Sequence, residues 1–229
     1  MKLYLKVSAL VAVLAVGTAF AAADTIFSSS ATTSFYGVIT SPTSPPAGPY
    51  PTPGGFVVGA PAATATLNAN GVWDNPFSGS NWVGELASFG PGPGLSNPPY
   101  GYYLYGEQLT TSGVLTNLQV MADDTVSVWL NGVNIITPGM LGTDTHCADN
   151  APSCTQNKLG SFNGSINVTA GDTIWFIVEQ AGTGPVGGVN DPSGLDYTGS
   201  IVPEPNSLIL LGTGLVGSAG ALVRRMRRA

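Results

Sequence analysis

Adjacent carboxylates are the first residues in this chain whose types and spacing could do chemistry. Asp123 and Asp124 stand side by side between two apolar runs, and Glu107 and Glu179 lie within further apolar stretches. Hard oxygens suit calcium, and two carboxyls about 5–10 Å apart across a sugar can hydrolyse a glycosidic bond. Calcium is therefore the one candidate cofactor, with Asp123 and Asp124 as its ligands, although no D-x-D-x-D-G loop accompanies them. Turn chemistry accounts for the pair without any ligand, because aspartate side chains bond to their own backbone in turns. Nothing singles out a catalytic pair. His146 is the only histidine, and no G-x-S-x-G elbow occurs, so serine or cysteine hydrolysis finds no support. The expectation is a protein that is not an enzyme; a carbohydrate-active enzyme working through carboxylates is the alternative.

Aromatic side chains offer a second kind of chemistry. Sugars stack on flat rings while amides and carboxylates hold their hydroxyls, and Trp73, Trp82, Tyr102, Tyr103, Trp129 and Trp175 supply such rings. Trp129 stands out because its position opposes Val128 and Leu130 in a strand of period two. With Tyr103, Asn131, Asp123 and Asp124 it completes the candidate ligand-binding set.

The elements that must position these groups read as strands. Tyr100 to Leu109 is aromatic and β-prone, Val114 to Ala122 sets Leu118 and Val120 on one face, and Asp123-Asp124 reads as a turn. Val126, Val128 and Leu130 then alternate with Ser127 and Trp129, and Asn131-Gly132 is a strong hairpin signal. Ile166 and Val168 precede Ala170-Gly171-Asp172, after which Ile174, Phe176 and Val178 repeat the alternation. Pro42, Pro45, Pro46, Pro49, Pro51 and Pro53 make a stiff extended loop or linker rather than a central strand. The body is thus all-β, an antiparallel β-sandwich or jelly roll.

Both ends of the chain carry different signals. Residues 1–23 place Lys2 and Lys6 before an apolar stretch and small residues ending in Ala21-Ala22-Ala23, the three parts of a secretory signal peptide cut by signal peptidase. In an exported chain, Cys147 and Cys154, with six residues between them, read as one loop disulfide; zinc would need four ligands and finds two cysteines and His146. Asn206 to Val223 is 18 residues without a charge, the length of a candidate single transmembrane helix, and Arg224, Arg225, Arg227 and Arg228 follow it as a stop-transfer cluster. Its Gly212-Thr213-Gly214-Leu215-Val216-Gly217 fits G-x-G-x-x-G only formally, having no βαβ unit around it.

Charge follows the same division. The whole chain carries −6, yet between Asp24 and Val202 one base, Lys158, stands against twelve acids, a formal −11. A body without a basic footprint excludes nucleic acid as a partner.

Pro203-Glu204-Pro205, followed by the apolar span and the arginines, resembles the PEP-CTERM sorting signal of Gram-negative bacteria. The resemblance implies that an exosortase recognises Pro203, Glu204 and Pro205 and processes the chain there. The protein would be anchored transiently in the inner membrane and then delivered to the cell surface or extracellular matrix, such as a biofilm matrix. Prolines on both sides of Glu204 disfavour helix and leave the backbone extended for a protease. The stretches Ala122 to Gly132, Ala170 to Phe176 and Pro192 to Tyr197 are similar to the galactose-binding-like jelly roll of carbohydrate-binding modules, which implies exopolysaccharide as a partner. The domain reading is a signal peptide over 1–23, N-terminal strands and the Pro-rich loop over 24–72, the β-sandwich over 73–201 and the sorting signal over 202–229.

Overall fold

The computed structural model describes residues 23–30, 32–142, 147–182 and 190–203. The body is the compact unit Thr25–Ile201. The signal peptide, except Ala23, lies outside the described residues. So do the candidate transmembrane span and the arginine cluster.

Thirteen strands make up the described chain: β1 Thr25–Ser28, β2 Ser34–Thr40, β3 Ala62–Ala63, β4 Ala65–Thr66, β5 Val83–Gly84, β6 Gly101–Gln108, β7 Gly113–Asp123, β8 Thr125–Leu130, β9 Val133–Ile136, β10 Gly160–Phe162, β11 Ile166–Val168, β12 Thr173–Gln180 and β13 Gly194–Pro203. They form two antiparallel sheets. A six-stranded sheet runs β3-β2-β6-β12-β8-β9, and a seven-stranded sheet runs β10-β7-β13-β5-β4, with β11 also on β7 and β1 also on β13. Helix among the described residues is confined to three single 3-10 turns. The sequence's 24–72 segment is woven into both sheets, β2 pairing with β6 and β1 with β13.

Alternation explains the packing between the sheets. Val126, Val128 and Leu130 of β8 and Ile174, Phe176 and Val178 of β12 face Leu118, Val120 and Ala122 of β7 and Leu195, Tyr197 and Ile201 of β13 in one buried cluster. Phe176 stacks on Tyr197 with centroids 4.2 Å apart, joining the two sheets directly. Each such apolar side chain contributes about 1.5–3 kcal/mol on burial. The hairpin from β8 to β9 turns at Asn131 and Gly132 with φ of 50° and 78°, the backbone that a two-residue type I′ loop demands.

Two features add to the sequence expectation. The chain bends at Asp123-Asp124, and because β7 and β8 belong to different sheets it crosses there from one layer to the other. The Pro-rich stretch is an irregular loop of the body. It lies across the outer face of the six-stranded sheet, where Tyr50 Oη donates to Ile177 O at 2.6 Å and Phe56 is buried with Tyr102, Leu104 and Ile177. Ser44 Oγ bonds to the carbonyls of Ala181 and Gly182 in the same region. This clasp buries β6 on both faces over Gly101 to Glu107, where a solvated outer face would have left every second residue exposed.

Candidate functional site

The sheet-crossing corner gathers the acids. Asp123 and Asp124, joined by a cis peptide, are both 0% exposed. Trp73 Nε1 donates to Asp123 Oδ2 at 2.5 Å, and the Ala181 amide donates to Asp124 Oδ2 at 2.5 Å. Their backbone is held as well, Asp124 N donating to Glu179 O at 3.0 Å and Ala148 N to Asp124 O at 3.0 Å. Asp191, whose amide donates to Asn97 Oδ1 at 2.8 Å, adds a third buried carboxyl.

Burial decides the protonation of this group. Removal from water disfavours the charged form, so Asp123 is pushed well above the ordinary aspartate range, with the charges of Asp124 and Asp191 adding to the effect. Asp124 is raised for the same leading reason, against the opposing pull of the Ala181 N–H. Glu179, 7% exposed, is pushed up to about 7 by burial. No group of three or more His, Cys, Asp or Glu side chains among the described residues is arranged to hold a metal ion.

The other carboxylates do not complete a hydrolytic pair. Glu107 pairs with Ile174 and Glu179 with Tyr102, five positions apart along β6, or roughly 17 Å at strand rise. Glu107 accepts from Tyr197 Oη at 3.2 Å in the space between the sheets, whereas Glu179 lies near Tyr50 and Tyr102 under the clasp. Asp196, unremarked in the sequence, is a buried structural acid: Ser29 Oγ, Ser80 Oγ and the Phe77 amide all donate to it, at 2.7, 2.5 and 2.9 Å.

The candidate rings separate into interior and surface. Tyr103 is 1% exposed and its hydroxyl donates to Pro99 O at 2.7 Å, so it packs in the core and is no ligand platform. Asp123 and Asp124 likewise face the interior and not a surface ligand, because the corner is covered from both layers. Trp73 and Trp82 pack on each other at 4.5 Å inside a second cluster with Met121 and Cys154. Cys154 is joined to Cys147 in a disulfide. His146 lies outside the described residues.

Trp129 is different. It is half-buried on the outer face, beside Trp175, its direct partner across β8 and β12. Tyr36 continues the line, its ring meeting Trp175 edge-on at 4.7 Å. Tyr36 is the extra residue of a bulge between Phe35 and Gly37, which is why simple alternation does not single it out. Gly106, the partner of Trp175 on β6, leaves the necessary room: a Cβ there would stand 2.8 Å from Tyr36 Cε2 and 3.1 Å from Trp175 Cζ3. Asn134 lies opposite Trp129 on β9. The indole N–H of Trp129 is accepted by Ser127 Oγ at 3.0 Å or by the Asn134 amide oxygen at 3.2 Å. Asn131 stays exposed in the hairpin turn and donates to Asp172 Oδ2 at 3.2 Å.

Fold and surface define an all-β sandwich that presents aromatic rings on one sheet and buries Asp123, Asp124, Asp191, Glu107, Glu179 and Asp196. Its particular identity comes from the other end of β13: residues 202–228 match the family model of the PEP-CTERM protein-sorting motif. The motif begins within the described chain, Pro203 being the last residue of β13, while Glu204, Pro205 and the four arginines lie outside the described residues. The match supports an exported protein that an exosortase processes, sorted in a membrane-anchored form before release at the surface. No curated protein matches the chain. Among the described residues no helix is long and apolar enough to cross a membrane.

Proposed function

We propose that this chain is a non-enzymatic protein of the cell surface or extracellular matrix of a Gram-negative bacterium, holding polysaccharide on its β-sandwich after signal peptidase and exosortase have processed its ends. The observation that carries this reading is the placement of its chemistry. Hydrolysis needs carboxyls at a surface a sugar can reach, and here Asp123 and Asp124 are 0% exposed and Glu107 and Glu179 only 7%. Binding needs rings at that surface, and Tyr36, Trp129 and Trp175 remain part-exposed there on paired strands. The similarity of the strand-turn segments to galactose-binding-like modules points the same way.

The test is a glycan array probed with the exported, processed protein, with and without calcium, alongside a reducing-sugar assay on every polysaccharide bound. The expected result is retention of at least one polysaccharide without release of reducing ends. Failure to retain any glycan would refute the reading. Turnover that disappears on Glu179→Gln or Asp124→Asn would replace it with the enzyme alternative.

A further inference from the structure

The outer face of the six-stranded sheet carries its aromatic groups in a line across the strands rather than scattered over it. Gly106 on β6, Trp175 on β12, Trp129 on β8 and Asn134 on β9 are register partners on four consecutive strands, and Tyr36, the bulge residue of neighbouring β2, reaches over Gly106 to Trp175. Neighbouring strands lie about 4.8 Å apart, so this row extends roughly 19 Å across the sheet. It is a linear feature. A single sugar would meet one ring; a chain would meet all three.

The clasp does not finish covering this face. Tyr50 and Phe56 bury Tyr102, Leu104 and Ile177, the neighbouring part of the same outer cluster, and leave Tyr36, Trp129 and Trp175 half-buried. The rings are also held. Trp129 is tied by its N–H to Ser127 or Asn134, and Tyr36 is braced on Trp175 across a glycine that admits no side chain without displacing them. Rings already fixed by neighbours lose little rotamer freedom when a ligand arrives. Asn134 and Thr173, both half-buried, and the exposed Gln108 provide polar groups on the same sheet, so the row has the mixed apolar and hydrogen-bonding character that a sugar's faces and hydroxyls require.

Charge selects the ligand further. Lys158 is the one base among residues 24–202, so nothing here offers the carboxylates of an anionic chain such as a polyuronate an arginine fork. We infer that the Tyr36–Trp175–Trp129 row is the binding face for a neutral, extended, β-linked hexose polysaccharide, whose flat sugar faces stack along the row with Asn134 at its β9 end. This rests on the polysaccharide reading above and adds the place and the ligand class. The row is also separate from the acidic corner, since Trp129 lies five residues along from Asp124, roughly 16 Å at strand rise.

Affinity electrophoresis of the exported protein through gels containing hydroxyethylcellulose, mixed-linkage β-glucan or alginate tests the inference, with Trp129→Ala, Trp175→Ala and Tyr36→Ala as variants checked for native circular dichroism. Retardation by the neutral glucans and not by alginate is expected, weakened about tenfold in apparent affinity by either tryptophan substitution. A second measurement needs no variant: acrylamide quenching of wild-type tryptophan fluorescence should fall when β-glucan is added, because Trp129 and Trp175 are the part-exposed indoles while Trp73 and Trp82 are buried. Retardation unchanged in all three folded variants, unaltered quenching, or stronger retention by alginate than by the glucans would overturn the inference while leaving polysaccharide binding intact. Loss of all glycan retention in the wild type would instead remove the reading beneath it.

Discussion

Raising the pH through neutrality should destabilise the body, and Glu179 sets a measurable part of the loss. Its carboxyl lies under the Pro-rich clasp, close enough to Tyr50 and Tyr102 for its charge to raise both phenols, and burial lifts it from an ordinary 4.5 to about 7. The unfolded chain therefore ionises this group before the folded chain does. Stability from keeping the neutral acid inside is fully present below about 4.5 and is lost as the pH climbs through about 7. At about 1.4 kcal/mol per pH unit this span is worth ~3 kcal/mol, a large fraction of the stability of an ordinary domain. Glu179→Gln keeps the size and removes the titration. Urea unfolding of both proteins at pH 5 and pH 8, with a chelator present so that no divalent cation competes with protons, measures the difference. Because pH 5 already lies above the unfolded value, the wild type should lose ~2.5 kcal/mol more than the glutamine variant between the two conditions. Asp123 and Asp124 titrate in the same direction and are common to both proteins, and the Glu179 charge adds to the rise at Asp124, so the measured difference includes that coupling. Equal pH dependence in the two proteins would refute the assignment of a neutral, buried Glu179.

Three further outcomes follow from the described contacts. Replacing both Cys147 and Cys154 by serine opens a short loop of sequence separation 7, and the chain-entropy account gives a loss of about 2–3 kcal/mol, to be read as a lower urea midpoint. Trp73→Phe keeps a ring against Trp82 while deleting the N–H that reaches Asp123 Oδ2 at 2.5 Å, and should cost about 1–3 kcal/mol in the same assay; a change below the error of the measurement would show that this bond adds nothing. The intact mass of the surface-released protein should lack Arg224, Arg225, Arg227 and Arg228, and replacing Glu204 by alanine should retain them; a surface-exposed wild type with its arginines in place would contradict processing at the motif.

Strands were legible wherever one face meets the core and the other does not. Val126, Val128 and Leu130, and then Ile174, Phe176 and Val178, declare their sidedness through alternation, and Asn131-Gly132 announces a turn because few other residue pairs accept its backbone. Asp123-Asp124 declared a turn but not its surroundings. Paired aspartates are what an exposed turn uses, and only the assignment of β7 and β8 to different sheets reveals a buried corner. Tyr36 escaped because a bulge shifts the period at Phe35. The prolines identified an irregular segment correctly, but nothing in their spacing says that Tyr50 and Phe56 will lie on Tyr102 and Ile177, far along the chain.

The amino-acid sequence alone determined the address of this protein, since a sorting motif is read as a contiguous run of residues and needs no partner from elsewhere in the chain. It also determined that the body would be built of strands, because period-two patterning is a local property. Tertiary structure alone decided which groups reach the solvent. Trp73, Trp82, Trp129 and Trp175 are chemically equivalent in the sequence, yet two are enclosed and two stand half-exposed in a row on one sheet. Alternation assigns a side chain to one face of its strand. Whether that face is covered depends on segments many residues away.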